Sequence, residues 1–139
     1  MTRSLVAGLA LATAMAMPAA ARQVGSGEWE YMVACAGCHG ESAIGDGPLA
    51  GLMDVETPDL THLTRDAGGT FPFRKVLSIV DGRNDGRRHG SEMPIRGERY
   101  LTDLRIGDAT GRMVVGDPEL VAQGRLLALV RYPETIQQE

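Results

Sequence analysis

The sequence "CAGCH", from Cys35 to His39, constrains this chain more than any other feature, because it contains the only two cysteines. Metal sites that need four sulfur ligands are therefore excluded. A disulfide, a zinc site completed by His62 or His89, and an attached haem remain open. Zinc is disfavoured because adjacent Cys38 and His39 are awkward joint ligands and no second histidine pair has the usual spacing. A thioredoxin-type disulfide needs a βαβ pattern, and strand-like alternation is absent.

An attached haem accounts for all five positions of this motif, since C-x-x-C-H is a haem c attachment signature. Each thiol adds across one vinyl group of the haem, and the two-residue spacer lets both sulfurs reach neighbouring vinyls. The histidine that follows turns its imidazole towards the iron. The motif therefore predicts one haem c, attached through Cys35 and Cys38, with His39 as the proximal iron ligand. A plain structural disulfide would leave the histidine unexplained.

The start of the chain predicts export. Residues 1–21 place Arg3 before an uncharged apolar run that ends at Pro18 and three alanines, which is the layout of a secretory signal peptide cleaved near Ala21. The run is short for a bilayer span, and no later segment approaches the roughly 20 apolar residues that a membrane helix needs. We therefore expect a periplasmic protein with one domain over 22–139 and no stable membrane insertion.

Composition narrows the class of partner and favours a bound group. The chain has a formal net charge of −4, which argues against nucleic acid as a partner. It contains one tryptophan and two phenylalanines, so a domain this small has few large side chains with which to build its core. Such domains usually need a staple or a cofactor.

A haem iron held by one histidine needs a second ligand or leaves an open position. The candidates after the predicted signal peptide are Met32, Met53, Met93, Met113, His62 and His89. Met93 follows His39 at a distance that lets the chain wrap round the ring and return on its other face. Pro94 comes next and fixes the local backbone. We therefore predict Met93 as the second ligand, with Met113 and His89 as the alternatives.

Helical patterns predict an all-α chain. The expected elements are a helix from an N-cap at Ser26 or Gly27 to Cys35, at most a short helix over 58–63, a helix from Pro72 to Gly82, and a final helix from Asp117 to Tyr132. Trp29, Met32 and Val33 have helical spacing in the first helix. Pro133 is expected to end the last helix and leave a looser tail. Gly124 predicts the close approach of another helix, and the first and last helices are expected to pair.

Four stretches in this order resemble the class I monohaem cytochromes c of bacteria: "CAGCHGESAIGDGP", "TPDLTHL", "GGTFPFRKVLSIVDGR" and "HGSEMPIRG". The resemblance covers most of the chain after the predicted signal peptide. It implies a small all-α fold wrapped round one covalent haem, with Cys35, Cys38 and His39 on the haem and Met93 on the iron. It also implies that the carbonyl of Pro48 accepts a hydrogen bond from the free ring nitrogen of His39.

The function that this resemblance implies is electron transfer between Fe(II) and Fe(III), without catalysis, to a redox partner such as a dehydrogenase, an oxidase or another cytochrome. The chain could instead be the cytochrome subunit of a dehydrogenase. The alternative of another class is a haem enzyme or ligand sensor whose sixth iron position is open or labile. His62 and His89 are unaccompanied in the sequence, so no distal catalytic pair is evident.

The sequence allows two roles each for Arg96 and for a basic cluster in the loop before Met93. Arg96 stands where the related cytochromes often have an aromatic residue, and it is expected either to meet a haem propionate or to be a solvated loop residue. Arg83, Arg87 and Arg88 form a local basic cluster that is either a docking patch or ordinary solvated surface.

Overall fold

The computed structural model describes residues 21–83, 93–111 and 116–139, with the side chains of 21–26 left out. Its helices are α1 (Ala21–Ala34), α2 (Ala36–His39), α3 (Leu63–Asp66), α4 (Phe73–Asp81), α5 (Gly97–Ala109) and α6 (Pro118–Thr135), with a 3-10 turn at Ala50–Leu52. These segments contain no strand, which confirms the all-α prediction. None of their helices is long and apolar enough to cross a membrane. The predicted signal peptide lies almost wholly outside them.

Helices α1 and α6 pack against each other, as predicted, and Gly27 lies at their closest approach. A β-carbon on Gly27 would lie 2.3 Å from the carbonyl oxygen of Ala128 in α6. The prediction that Gly124 permits this approach is wrong, because a β-carbon there would have no neighbour within 4 Å. The predicted N-cap is also wrong, since α1 already contains both Ser26 and Gly27.

The buried face of α1 differs from the one that helical spacing suggested. Tyr31 is fully buried, and Met32 packs against the same core. Trp29 and Val33 point the other way and are 69% and 67% exposed. The helix therefore presents two large apolar side chains to solvent, at positions four residues apart on one face.

Helix α4 and the start of α6 match the prediction because their end signals are local. Helix α4 follows Pro72 and ends at Gly82, which has the left-handed φ of +67° that favours glycine. At the start of α6, the carboxylate of Asp117 accepts hydrogen bonds from the backbone N–H groups of Glu119 and Leu120, at 2.8 and 3.2 Å. The expected inward residues of α4 all pack on the core: Phe73, Val76, Leu77 and Val80.

The end of α6 contradicts the prediction. The helix passes through Pro133 and continues to Thr135, and Pro133 is buried. Proline inside a helix removes one backbone hydrogen bond, and here the ring is part of the packed interior. The predicted short helix over 58–63 is also displaced along the chain, since α3 covers Leu63–Asp66.

Helix α5 was not predicted from the sequence. Tyr100 and Leu101 are buried on its inner side, and Leu104 packs against the core. Their spacing is helical, but Gly97 and Gly107 disfavour helix by about 1 kcal/mol each and obscure the pattern. Packing against α4 and α6 supplies the stability that local propensity does not.

Candidate cofactor site

Three of the predicted haem residues, Cys35, His39 and Met93, line a partly open cavity of about 160 Å³ between α1, α2, α4 and α6. Its lining is almost wholly apolar and consists of Tyr31, Cys35, His39, Pro58, Leu60, Leu63, Val76, Ile79, Val80, Met93, Leu129, Val130 and Pro133. His39 and Met93 stand 54 residues apart in the sequence yet line the same space. The structure thus brings together an imidazole nitrogen, a thioether sulfur and one of the two thiols.

His39 is held in one orientation by a backbone carbonyl. Its Nδ1 lies 3.1 Å from the carbonyl oxygen of Pro58. Because a carbonyl oxygen only accepts, Nδ1 must carry the proton, and Nε2 of the neutral ring then keeps its lone pair. The side chain is 6% exposed, and burial lowers the pKa of His39 although the hydrogen bond to Pro58 opposes that shift. Burial therefore favours the neutral form that can bind a metal.

The expected partner of His39 was the carbonyl of Pro48, and that expectation is wrong. Pro48 is exposed and lies beside a surface groove next to α2. Pro58, ten residues later, comes against His39 because the intervening loop folds back over α2. Gly45 allows this return: a β-carbon there would lie 2.4 Å from the carbonyl oxygen of Thr57, and its φ is +88°.

The loop that supplies the Pro58 carbonyl is fixed by its own side chains. The carboxylate of Asp59 accepts hydrogen bonds from the backbone N–H and the hydroxyl of Thr61, both at 2.7 Å. These bonds hold the pKa of Asp59 below its usual value. The backbone N–H of Leu60 also donates to the carbonyl of Ala43, at 2.8 Å. Thr61 is buried, so the loop is part of the packed structure.

The C-terminal tail fixes the same loop, contrary to the prediction of a loose end. The side chain of Gln137 donates to the carbonyl of Leu60 and accepts from the backbone N–H of Thr64, both at 2.7 Å. The backbone N–H of Gln138 donates to the carbonyl of Thr61, also at 2.7 Å. The sequence carried no sign of these roles, because a polar tail after a proline usually predicts disorder.

Both thiols of the motif are free. Cys35 lines the cavity, whereas Cys38 is half-buried and does not line it. Burial raises the pKa of the Cys35 thiol to about 11, although the nearby guanidinium of Arg96 opposes the shift. Cys35 and Cys38 are therefore not joined in the disulfide that was one alternative for this motif. Across residues 21–83, 93–111 and 116–139, no three histidine, cysteine or acidic side chains are grouped to hold a metal, so these segments form no zinc site.

Met93 is the one candidate second ligand that lines the cavity within the described segments. Met53 is half-buried in the loop after the 3-10 turn. The ring of His62 pairs instead with the carboxylate of Asp59, Nδ1 to oxygen 3.1 Å. Met113 and His89 lie outside the described residues. Met93 thus remains the predicted ligand.

Arg96 is half-buried and is not the solvated loop residue that was one expectation for it, whereas its expected contact with a haem propionate stays a prediction. Its guanidinium donates a hydrogen bond to the carbonyl oxygen of Ala34, at the end of α1, and its backbone N–H donates to the carbonyl of Val80, at 2.8 Å. The first contact satisfies one of the carbonyls that a helix end leaves without a partner. Arg96 therefore fixes the segment that follows Met93 between the ends of α1 and α4.

Arg83 does not belong to a free basic patch. Its guanidinium is mostly buried and pairs with Asp81 at 2.5 Å and with Glu119 at 2.6 Å, which joins the end of α4 to the start of α6. The other two arginines of the cluster, Arg87 and Arg88, lie outside the described residues. The docking role considered for this cluster is therefore contradicted for Arg83.

The side chains that line the cavity fit an attached haem, but the cavity is small for one. A neutral imidazole and a thioether on an otherwise apolar wall are the axial ligands of His/Met haem proteins, and Cys35 stands beside them. The cavity is smaller than the roughly 300 Å³ at which cofactor sites usually begin. A haem would therefore need side chains to move apart or would extend past the cavity.

Comparison with known proteins finds no match to this chain, whether among family models, curated proteins or solved structures. Three positions of the site were missed in the sequence: Pro58, Gly45 and Gln137. The quoted stretch "TPDLTHL" contains Pro58, but nothing in a single sequence showed which proline would reach His39.

Proposed function

We propose that this chain is a periplasmic electron-transfer protein that carries one haem c. The observation that supports it is the convergence of His39 and Met93 on one apolar cavity with Cys35 in its wall. A haem attached through Cys35 and Cys38 would supply reversible one-electron exchange between Fe(II) and Fe(III). The site's own residues would bind that group, orient it and set its potential.

The contacts of His39 suit it to the proximal position. Pro58 holds the Nδ1 proton, so that Nε2 is left with the lone pair that binds metal. The loop that carries Pro58 is tied to the C-terminal tail through Gln137, which limits rotation of the imidazole. A ligand that is already oriented does not lose this freedom on binding.

Met93 and the apolar lining of the cavity favour the reduced state of the proposed haem. A thioether ligand such as Met93 raises the potential of a haem. Aliphatic side chains from α4 and α6 line the same cavity as Met93, among them Val80 and Leu129. An apolar environment disfavours the additional positive charge of ferric iron, because charge is costly to bury. Both effects stabilise Fe(II), and they suit a carrier that accepts electrons at relatively high potential.

The ligand assignment is tested by a matched pair of methionines. Met93→Ala should leave the haem attached and abolish the sulfur-to-iron charge-transfer band of the oxidised protein. Met53→Ala should keep the band, because Met53 does not line the cavity. If Met93→Ala keeps the band, the assignment is refuted and Met113 becomes the candidate.

The class of function is tested by the visible spectrum of the exported protein, oxidised and reduced, with and without carbon monoxide. A six-coordinate low-spin haem c that ignores carbon monoxide is the expected result. Ready binding of carbon monoxide would show an open or labile position and would favour the enzyme or sensor. An alkaline-pyridine haem spectrum that is the same in Cys35→Ala and Cys38→Ala as in the unchanged protein would contradict attachment of the haem through these two cysteines.

A further inference from the structure

Charge is unevenly distributed along this chain. Residues 23–64, which include the haem motif, contain no lysine or arginine. The same segment contains seven carboxylates: Glu28, Glu30, Glu41, Asp46, Asp54, Glu56 and Asp59. Glu30 pairs with Arg125 and Asp59 with His62. The other five are exposed and form no ion pair with any residue in the described parts of the chain.

Large apolar side chains are exposed in the same region. Trp29 and Val33 lie one turn apart on the outer face of α1. Helix α2 begins two residues after α1 ends, and Cys35 between them has the non-helical φ of −125°. Gly37 lies in α2 and is half-buried.

The loop after the haem motif contributes two more exposed apolar side chains. Leu49 lies over Gly37: its Cδ1 is 3.2 Å from where a β-carbon on Gly37 would stand, and its N–H donates to the carbonyl of Gly37 at 2.8 Å. Leu52 follows in the 3-10 turn and is 79% exposed. We call the four exposed side chains on either side of the two cysteines in the sequence the apolar strip: Trp29, Val33, Leu49 and Leu52.

Carboxylates border this strip. Glu41 and Asp46 line an open groove of about 590 Å³ against Ala36 and Gly37. Glu28 precedes Trp29 in α1 and is exposed. We define the acidic face as the apolar strip together with Glu28, Glu41 and Asp46. Large exposed apolar patches with a polar rim commonly mark interaction sites.

We propose that the acidic face is the docking surface for a redox protein that presents an apolar patch ringed by lysine and arginine. This inference rests on the proposed function. Charge complementarity selects the partner: the three carboxylates of the acidic face form no ion pair with the described residues, and they attract a basic surface and repel an acidic one. They also disfavour a second copy of this chain and an anionic membrane, because like charges would meet.

The role of the carboxylates in docking is tested on the haem-loaded protein with two small redox reagents of opposite charge. Hexaammineruthenium(II) gives one electron to the ferric protein, and hexacyanoferrate(III) takes one from the ferrous protein. Neutralising the rim with Glu28→Gln, Glu41→Gln and Asp46→Asn should slow the cationic reagent roughly tenfold at about 10 mM salt and speed the anionic one. Both effects should vanish near about 1 M salt.

A second triple variant controls for net charge. Glu98→Gln, Asp108→Asn and Glu139→Gln remove three exposed carboxylates outside the segment, and should change either rate less than about twofold. Equal effects of the two triples, or no effect of the rim triple, would overturn the proposal. Failure of the proposed function looks different, because the unchanged protein would then show no haem spectrum and no electron exchange with either reagent.

The role of the apolar strip in docking is tested with two peptides of equal charge. A peptide of alternating lysine and leucine should bind more tightly, by about fivefold or more, than one of alternating lysine and serine. The shift of the Trp29 indole N–H in NMR spectra reports binding on this face. Leu52→Ser should remove the preference for leucine, and folding should be unaffected because Leu52 is exposed. Equal binding of the two peptides to the unchanged protein would refute an apolar contact.

Discussion

Replacement of Gly27 by alanine should destabilise this protein, although alanine is the better helix former. The new β-carbon would stand 2.3 Å from the carbonyl oxygen of Ala128, more than 1 Å short of an ordinary contact. That oxygen is part of the backbone of α6, so the two helices must separate. Overpacking of this kind costs about 1–3 kcal/mol, and the helix preference of alanine offsets about 1 kcal/mol.

Gly124→Ala is the matched control, because it adds the same methyl group to a helix where nothing lies within 4 Å. It should stabilise the protein by about 0.5–1 kcal/mol. Denaturant unfolding of the haem-loaded protein measures both changes. The two variants should differ by the cost of overpacking, about 1–3 kcal/mol, or roughly 5–15 °C in Tm.

The same pair bears on the site. Helix α1 leads into the cysteines, and α6 contributes Leu129 and Val130 to the cavity, so their separation should weaken the charge-transfer band in Gly27→Ala alone. Stabilisation by both alanines would refute the helix contact at Gly27. Destabilisation by both would show that Gly124 is also packed.

Three further predictions concern the loops around the site. Arg96→Met should lower the free energy of unfolding by about 1–3 kcal/mol, because the last carbonyls of α1 lose a partner, and Arg96→Lys should recover part of the loss. Gln137→Ala should lower it by about 1–2 kcal/mol and shift the NMR signals of the His39 ring, whereas Gln138→Ala should do neither, since Gln138 contributes only its backbone. The pKa of Asp59 is lowered in the folded state, so its ionised carboxylate stabilises the fold above the pKa of an unfolded aspartate, about 4. This stabilisation is lost as pH falls through the pKa of Asp59 in the folded protein. Asp59→Asn should therefore flatten this part of a curve of unfolding free energy against pH.

The parts of the fold that were predicted correctly have local causes. Helix α4 lies between Pro72 and Gly82, and α6 begins at an aspartate followed by proline. Each signal acts on the backbone within a few residues, so it is legible without the rest of the molecule.

The errors arise where distant segments decide the outcome. Gly27 and Gly124 look alike in the sequence, and only the approach of α6 to α1 distinguishes them. Pro133 is a helix breaker by propensity, but burial beside the cavity keeps it inside α6. The choice of Pro58 over Pro48 likewise depends on how the loop after the motif folds back.

These long-range contacts also explain how the site can be precise while much of it comes from loops. His39 is oriented by Pro58, whose loop is bonded to the C-terminal tail, and Met93 is followed by an arginine bonded to the end of α1. Both ligand segments are thus fastened to the packed pair α1 and α6 rather than to each other. A change in that pair should therefore disturb both proposed axial ligands together, whereas a change in one loop should disturb one ligand alone.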